Sequence, residues 1–119
     1  MEQWTQTAAA TVYAARATDW SGRVVTQGHV IAVPDLVVTL AVEATIHYLD
    51  LTAHLMSAAP ADPAGLALVR RTLDGLLGMP LPLDWTDEEY AVKATGRQPL
   101  SAAEREALGE GAGRLPLLG

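Results

Sequence analysis

The sequence contains no cysteine. Disulfides, thiolate zinc sites and a cysteine nucleophile are excluded, and a reducing compartment suits the chain. Phenylalanine is absent too, and three Trp and three Tyr are the only aromatics. Nucleotide bases therefore find few platforms on which to stack. Eight Lys and Arg stand against fourteen Asp and Glu, a formal charge of −6. Arg70-Arg71 is the sole adjacent basic pair. Nucleic acid, whose phosphates call for clustered Lys and Arg, is not an expected partner. No apolar run reaches the roughly 18 residues that cross a bilayer, so no membrane partner is expected. The opening MEQWTQTAAA lacks the basic stretch and apolar core of a signal peptide. Together these absences point to a cytoplasmic protein.

Charged residues make up 18% and apolar residues 50%, which sets the chain apart from disordered tails. Alanine and leucine are frequent and β-branched residues do not dominate, so the composition leans helical. The expected fold class is all-α: residues 1–119 form a single helical domain or half-domain, built as a helical bundle. Gln3 to Thr18 has no Gly or Pro and places Trp4, Ala8, Val12 and Ala15 near one helical face. Arg23 to Val33, RVVTQGHVIAV, reads as a short β-hairpin around Gln27-Gly28 or as an irregular loop. An extended excursion is favoured over a sheet domain.

Pro34-Asp35 opens the dominant element, with Pro suited to a first helical turn and Asp to the positive end of the dipole. Nothing breaks this helix from Asp35 to about Ser57, and Ala58-Ala59-Pro60-Ala61-Asp62-Pro63 stops it. A further helix spans Pro63 to Leu77 with Leu66, Val69, Leu73 and Leu77 on one side, and Gly78-Met79-Pro80 ends it. The tail, 80–119, carries two short helices. Thr86 with Glu89, and Ser101 with Glu104, have capping-box spacing. The last residues, Arg114 to Gly119, should press onto the bundle through their leucines.

On the long helix, Asp35, Thr39, Glu43, His47, Asp50 and His54 fall within a sector of about 120°. The rest of the wheel is nearly all Val, Leu, Ala and Ile, so neighbours should cover most of it. Two readings of the polar stripe stand side by side. It is a solvated strip on an otherwise buried helix, or it is a metal or acid/base site. Glu43 and His47 are four apart and lie one above the other. That spacing lets a carboxylate oxygen and an imidazole nitrogen reach one ion at about 2.0–2.2 Å. Asp50, one turn beyond His47, is placed to orient the second ring nitrogen. His54 is two turns from His47, roughly 10 Å along the axis, too far to share that ion. His29, in the preceding loop, is a candidate substrate contact.

These residues carry a resemblance. VEATIHYLDLTAHL, Val42 to Leu55, resembles the fourth helix of the DinB-like metal-binding bundles. It is most similar to the mycothiol-dependent maleylpyruvate isomerase branch, which shows Glu-x-x-x-His followed by x-x-Asp-Leu. Here those positions are Glu43, His47, Asp50 and Leu51. QGHVIAVPDL, Gln27 to Leu36, is similar to that branch's link between its third and fourth helices. Ala94 to Gly119 resembles its tail. The resemblance implies half of a DinB-like four-helix bundle plus short C-terminal helices. It implies a divalent metal, usually zinc, with Glu43 and His47 as two of three ligands. It also implies mycothiol as thiol cofactor and a small electrophile as substrate. The family's third ligand, a histidine near the end of its second helix, has no counterpart here, because residue 1 falls near the start of the family's third helix.

The missing helices would leave roughly 500–1,000 Å² of apolar surface bare, more than a monomer tolerates well. The expected partner is a second copy of the chain or a separate N-terminal half-domain. Either His29 or His54, supplied by a partner copy, is a candidate for the missing ligand. One functional reading is a thiol-using isomerase or transferase whose metal site is completed on assembly. The other is a non-catalytic helical oligomerisation or binding module that keeps the fold without the chemistry. A Ser-His-Asp hydrolase is disfavoured, because no Gly-x-Ser-x-Gly elbow is present.

Overall fold

Helix α1 spans Glu2–Ala17, where an alanine-rich stretch free of Gly and Pro lets the backbone bonds run on unbroken. None of its residues is buried. Thr7 and Thr11 bond their hydroxyls back to carbonyls four residues earlier, which satisfies them locally. The chain then turns at Asp19, whose carboxylate accepts from both the backbone and the hydroxyl of Ser21.

Strand β1 (Arg23–Thr26) pairs antiparallel with β2 (His29–Ala32), and Thr26 faces His29 across the turn. The favoured extended excursion is thus a closed hairpin. Its two turn residues, Gln27 and Gly28, both have positive φ, 49° and 81°. That is the requirement of a tight two-residue turn whose twist matches the strands. Gly28 takes that conformation without steric cost. The fold class is accordingly mostly helical with one small two-stranded sheet.

Helix α2 covers Val33–Thr52, with Pro34 in its first turn as expected. It stops five residues short of the expected Ser57. No sequence breaker sits at Ala53, so the stop is tertiary. The Tyr48 hydroxyl donates to the Ala59 carbonyl at 2.6 Å and draws the following segment back alongside the helix. Leu55 N–H bonds the Thr52 carbonyl at 2.9 Å, a tight turn in place of another helical turn. His54 falls in this turn and leaves the polar stripe.

The computed structural model describes residues 1–118, in two compact units: Met1–Leu40, and a second beginning at Ala41. In the first, Val33 is buried and its N–H bonds the Gly22 carbonyl at 3.0 Å. In the second, Val42, Ile46 and Leu49 of α2 are buried. Helix α3 (Pro63–Leu77) buries the expected Leu66, Val69, Leu73 and Leu77, together with Gly65. Asp62 caps it by accepting from Gly65 N–H, and Gly78, at φ 69°, ends it. Gly65 marks the close approach of α3 to α2, because a Cβ there would overlap the Thr45 hydroxyl.

Helix α4 (Asp87–Ala94) opens with the expected Thr86–Glu89 capping box, and α5 (Ala102–Leu108) with that of Ser101 and Glu104. Tyr90, Ala91 and Ala94 of α4 are buried, and Arg70 of α3 stacks 5.3 Å from the Tyr90 ring centre. Burial pushes the Tyr90 hydroxyl up to about 12. Glu104 accepts from Lys93 Nζ and from Trp85 Nε1, so one carboxylate ties α5 to α4 and to the segment before it. The tail settles through Leu117, which is buried and donates its N–H to the Ala94 carbonyl at 2.7 Å. Leu118 faces out, and Gly119, the last residue of that tail, lies outside the described residues. No described helix is long and apolar enough to cross a membrane.

Candidate functional site

The second unit holds the candidate site, on an exposed strip of α2 about a quarter-turn round from the buried Val42, Ile46 and Leu49. Helical spacing aligns Glu43 with His47, and the His47 Nε2 atom lies 3.6 Å from Glu43 Oε2. Asp50 lies on the other side of the ring, with its Oδ2 3.9 Å from Nδ1. His47 thus sits between two carboxylates, each facing a different ring nitrogen. All three side chains are open to solvent: His47 is 67% exposed, Glu43 55% and Asp50 42%.

An oxygen and a nitrogen that bind one tetrahedral zinc at about 2.0–2.2 Å sit about 3.4 Å from each other. The 3.6 Å pair is close to that spacing. Glu43 and His47 do not make a complete site. Among the described residues no group of three or more His, Asp or Glu side chains is placed to hold a metal. The Asp50 oxygen faces the opposite nitrogen and is turned away from the Glu43 corner. His29 belongs to the first unit, opposite Thr26 in the hairpin, and is exposed. His54 is exposed in the turn after α2.

Sequence reasoning missed the most firmly held residue of the site. Arg97 donates from Nε to Asp50 Oδ1 at 2.6 Å and from a terminal nitrogen to Oδ2 at 2.9 Å. This is the two-pronged geometry that only an arginine fork gives a carboxylate. The Arg97 bonds hold the Asp50 carboxyl below its ordinary value, with His47 adding a smaller pull in the same direction. Asp50 in turn raises the Arg97 guanidinium, and Glu43 contributes a weaker push. Asp50 therefore faces His47 as the role expected of it requires, but both its oxygens are already engaged. The 3.9 Å gap to Nδ1 is longer than a hydrogen bond.

The base of Arg97 is equally well fixed. Helix α4 ends with Gly96 at φ 77°, its N–H on the Lys93 carbonyl at 3.2 Å and Arg97 N–H on that of Val92 at 2.8 Å. This is the Schellman pattern of helix termination, which glycine favours because no Cβ opposes the left-handed turn. The pair Gly96-Arg97 after a capped helix was the signal available in sequence. Its target on α2, 47 residues away, was not.

The chain was compared with protein-family models, curated proteins and solved structures, and nothing in any of the three matches it.

Proposed function

We propose that this chain carries the Glu43–His47 half of a divalent-metal centre, of the kind used by the mycothiol-dependent maleylpyruvate isomerase branch of the DinB-like bundles. The observation that carries the reading is the 3.6 Å approach of His47 Nε2 to Glu43 Oε2 on an open helix face. A proton on Nε2 or a cation between the two atoms would relieve their repulsion there, and the reading takes the cation. The remaining ligand comes with assembly, from a second copy of the chain or from a separate N-terminal half of the bundle, in the cytoplasm. When bound, zinc supplies a Lewis acid that lowers the pKa of a coordinated thiol or water. The chain's own residues hold the ion at two corners and keep the His47 ring between Glu43 and Asp50. The activity proposed is thiol-dependent isomerisation or transfer on a small electrophile, with mycothiol as the thiol.

Native mass spectrometry with metal analysis, on protein purified without chelator, tests this. The expected result is an oligomer that retains zinc, with the metal lost in both Glu43→Ala and His47→Ala. An oligomer that takes up no zinc at micromolar concentration overturns it.

That outcome would favour the second reading, a helical oligomerisation module without chemistry. One observation speaks for assembly on either reading. Helix α1 has no buried residue and presents Trp4, Val12 and Tyr13 to solvent, while Leu51 and Leu55 are exposed beyond the stripe.

A further inference from the structure

We infer that α1 docks on the α1 of a second copy of this chain, the two helices running antiparallel about a two-fold axis at Ala9; the inference rests on the assembly reading above, whose partner it names, and it needs no metal. The helix as it stands lacks cover. It is 16 residues long, has no side-chain cap at its start and buries none of its residues. Helices of about 12–15 residues are marginal in water, and in proteins the packing of one face stabilises them. A shallow groove runs along α1, lined by Thr5, Ala8, Ala9, Val12, Tyr13 and Arg16. Small residues there let a second helix come close.

Charge names the occupant. Glu2 and Arg16 are the only charged side chains of α1, one in its first turn and one in its last. Both are exposed, and among the described residues neither has an ion-pair partner. The helix dipole accounts for an acid at the start and a base at the end. It does not account for their sharing a face. Glu2, Thr5, Ala9, Tyr13 and Arg16 recur at intervals of three, four, four and three, within a sector of about 80°. Those intervals are the same in either direction, so an antiparallel copy falls into register with the stripe. Glu2 of each copy then meets Arg16 of the other, Tyr13 lies against the small Thr5, and Ala9 meets Ala9 at the axis. Such a self-complementary patch closes as a dimer. A parallel pair would set Glu2 against Glu2 and Arg16 against Arg16. About 24 Å of paired helix covers on the order of 1,000 Å², the lower edge of a specific interface, so a dissociation constant in the micromolar range is expected.

The test uses the full chain in EDTA, with the dissociation constant read by sedimentation equilibrium. Ala9→Glu sets like charges face to face at the axis and should weaken the dimer at least about 100-fold. Ala9 is exposed, so this variant leaves the chain's own packing intact. Glu2→Arg and Arg16→Glu each turn two attractive contacts into repulsive ones and should weaken the dimer about 3–10-fold. The double swap should recover most of that loss. The chain has no cysteine, so a single introduced one reports the register. Ala9→Cys should oxidise to a linked dimer. Thr5→Cys, about 12 Å along the axis from its own mate, should not. A wild type that stays monomeric at about 100 μM gives the face to another partner and overturns the inference. So does a dimer indifferent to Ala9→Glu, or one linked as readily through Thr5→Cys. If the dimer behaves as expected and the wild type takes up no zinc, the metal reading fails and the pairing stands. If zinc is held in an assembly that survives Ala9→Glu, the reverse holds.

Discussion

Replacing Gly65 by alanine should destabilise the second unit, although alanine is the better helix former. Gly65 lies in the first turn of α3 and is buried against α2. A methyl group there overlaps Thr45 Oγ1 and brings Thr45 Cβ and Cγ2 to 3.5 Å. Thr45 cannot swing clear cheaply. Its hydroxyl is bonded to the Ala41 carbonyl at 2.8 Å, and a χ1 rotation would bring the bulkier Cγ2 into the same space. The helix gains about 0.5–1 kcal/mol from losing a glycine. Forcing a methyl into a packed contact costs about 1–3 kcal/mol. The net expectation is a loss of about 1–2 kcal/mol, a fall in Tm of about 4–16 °C for a unit of this size. Thermal melts by circular dichroism, with urea titrations for ΔG, would measure it. Thr45→Ala removes the obstructing hydroxyl. In that background Gly65→Ala should become neutral or stabilising, a coupling of about 1 kcal/mol or more. A Tm at or above wild type in the single variant refutes the close-approach reading, as do strictly additive effects in the double.

Three further outcomes follow from local contacts. The Glu104 carboxyl is held down to about 2 against an ordinary 4.5, first by Lys93 and then by the Ser101 N–H. Its contribution to stability is therefore complete above pH 4.5 and is lost as pH falls toward 2. Glu104→Gln should lower Tm at neutral pH and flatten the acid limb of the Tm–pH curve; a wild-type acid limb in the variant would refute this. Gly96→Ala meets a left-handed φ of 77° and the Pro116 ring. It should cost at least about 1–2 kcal/mol in urea unfolding, and a silent substitution would count against the Schellman terminus. Asp62→Ala deletes the 3.0 Å cap on Gly65 N–H and should cost about 1 kcal/mol, with Asp62→Asn nearly silent.

Local chemistry explains which parts of the fold were legible. The α3 stripe, its Gly78 end and both capping boxes are decided within one or two turns of chain. Those contacts are the same whatever surrounds them. The hairpin was half-legible. Gln27-Gly28 marks a turn, but glutamine does not announce a positive φ as asparagine would, and the strands are only four residues each. The end of α2 was illegible for the opposite reason. Leu51 to Ser57 contains no breaker, and a hydroxyl on Tyr48 reaching Ala59 overrides local preference.

The site divides along the same line. Glu43 and His47 are legible because a helix fixes the relation of i to i+4, and their 3.6 Å approach follows from the spacing alone. Asp50 is legible as a position but not as a state. Its i+3 placement brings Oδ2 to the Nδ1 side of His47, yet the carboxylate's partner arrives from beyond α4. The two acids flanking one ring therefore differ in a way no wheel displays. Asp50 is neutralised and immobilised by Arg97, whereas Glu43 faces its histidine across an open gap. An exposed ion pair of this kind adds little stability, so the difference bears on where the two carboxylates are held more than on how firmly the fold is.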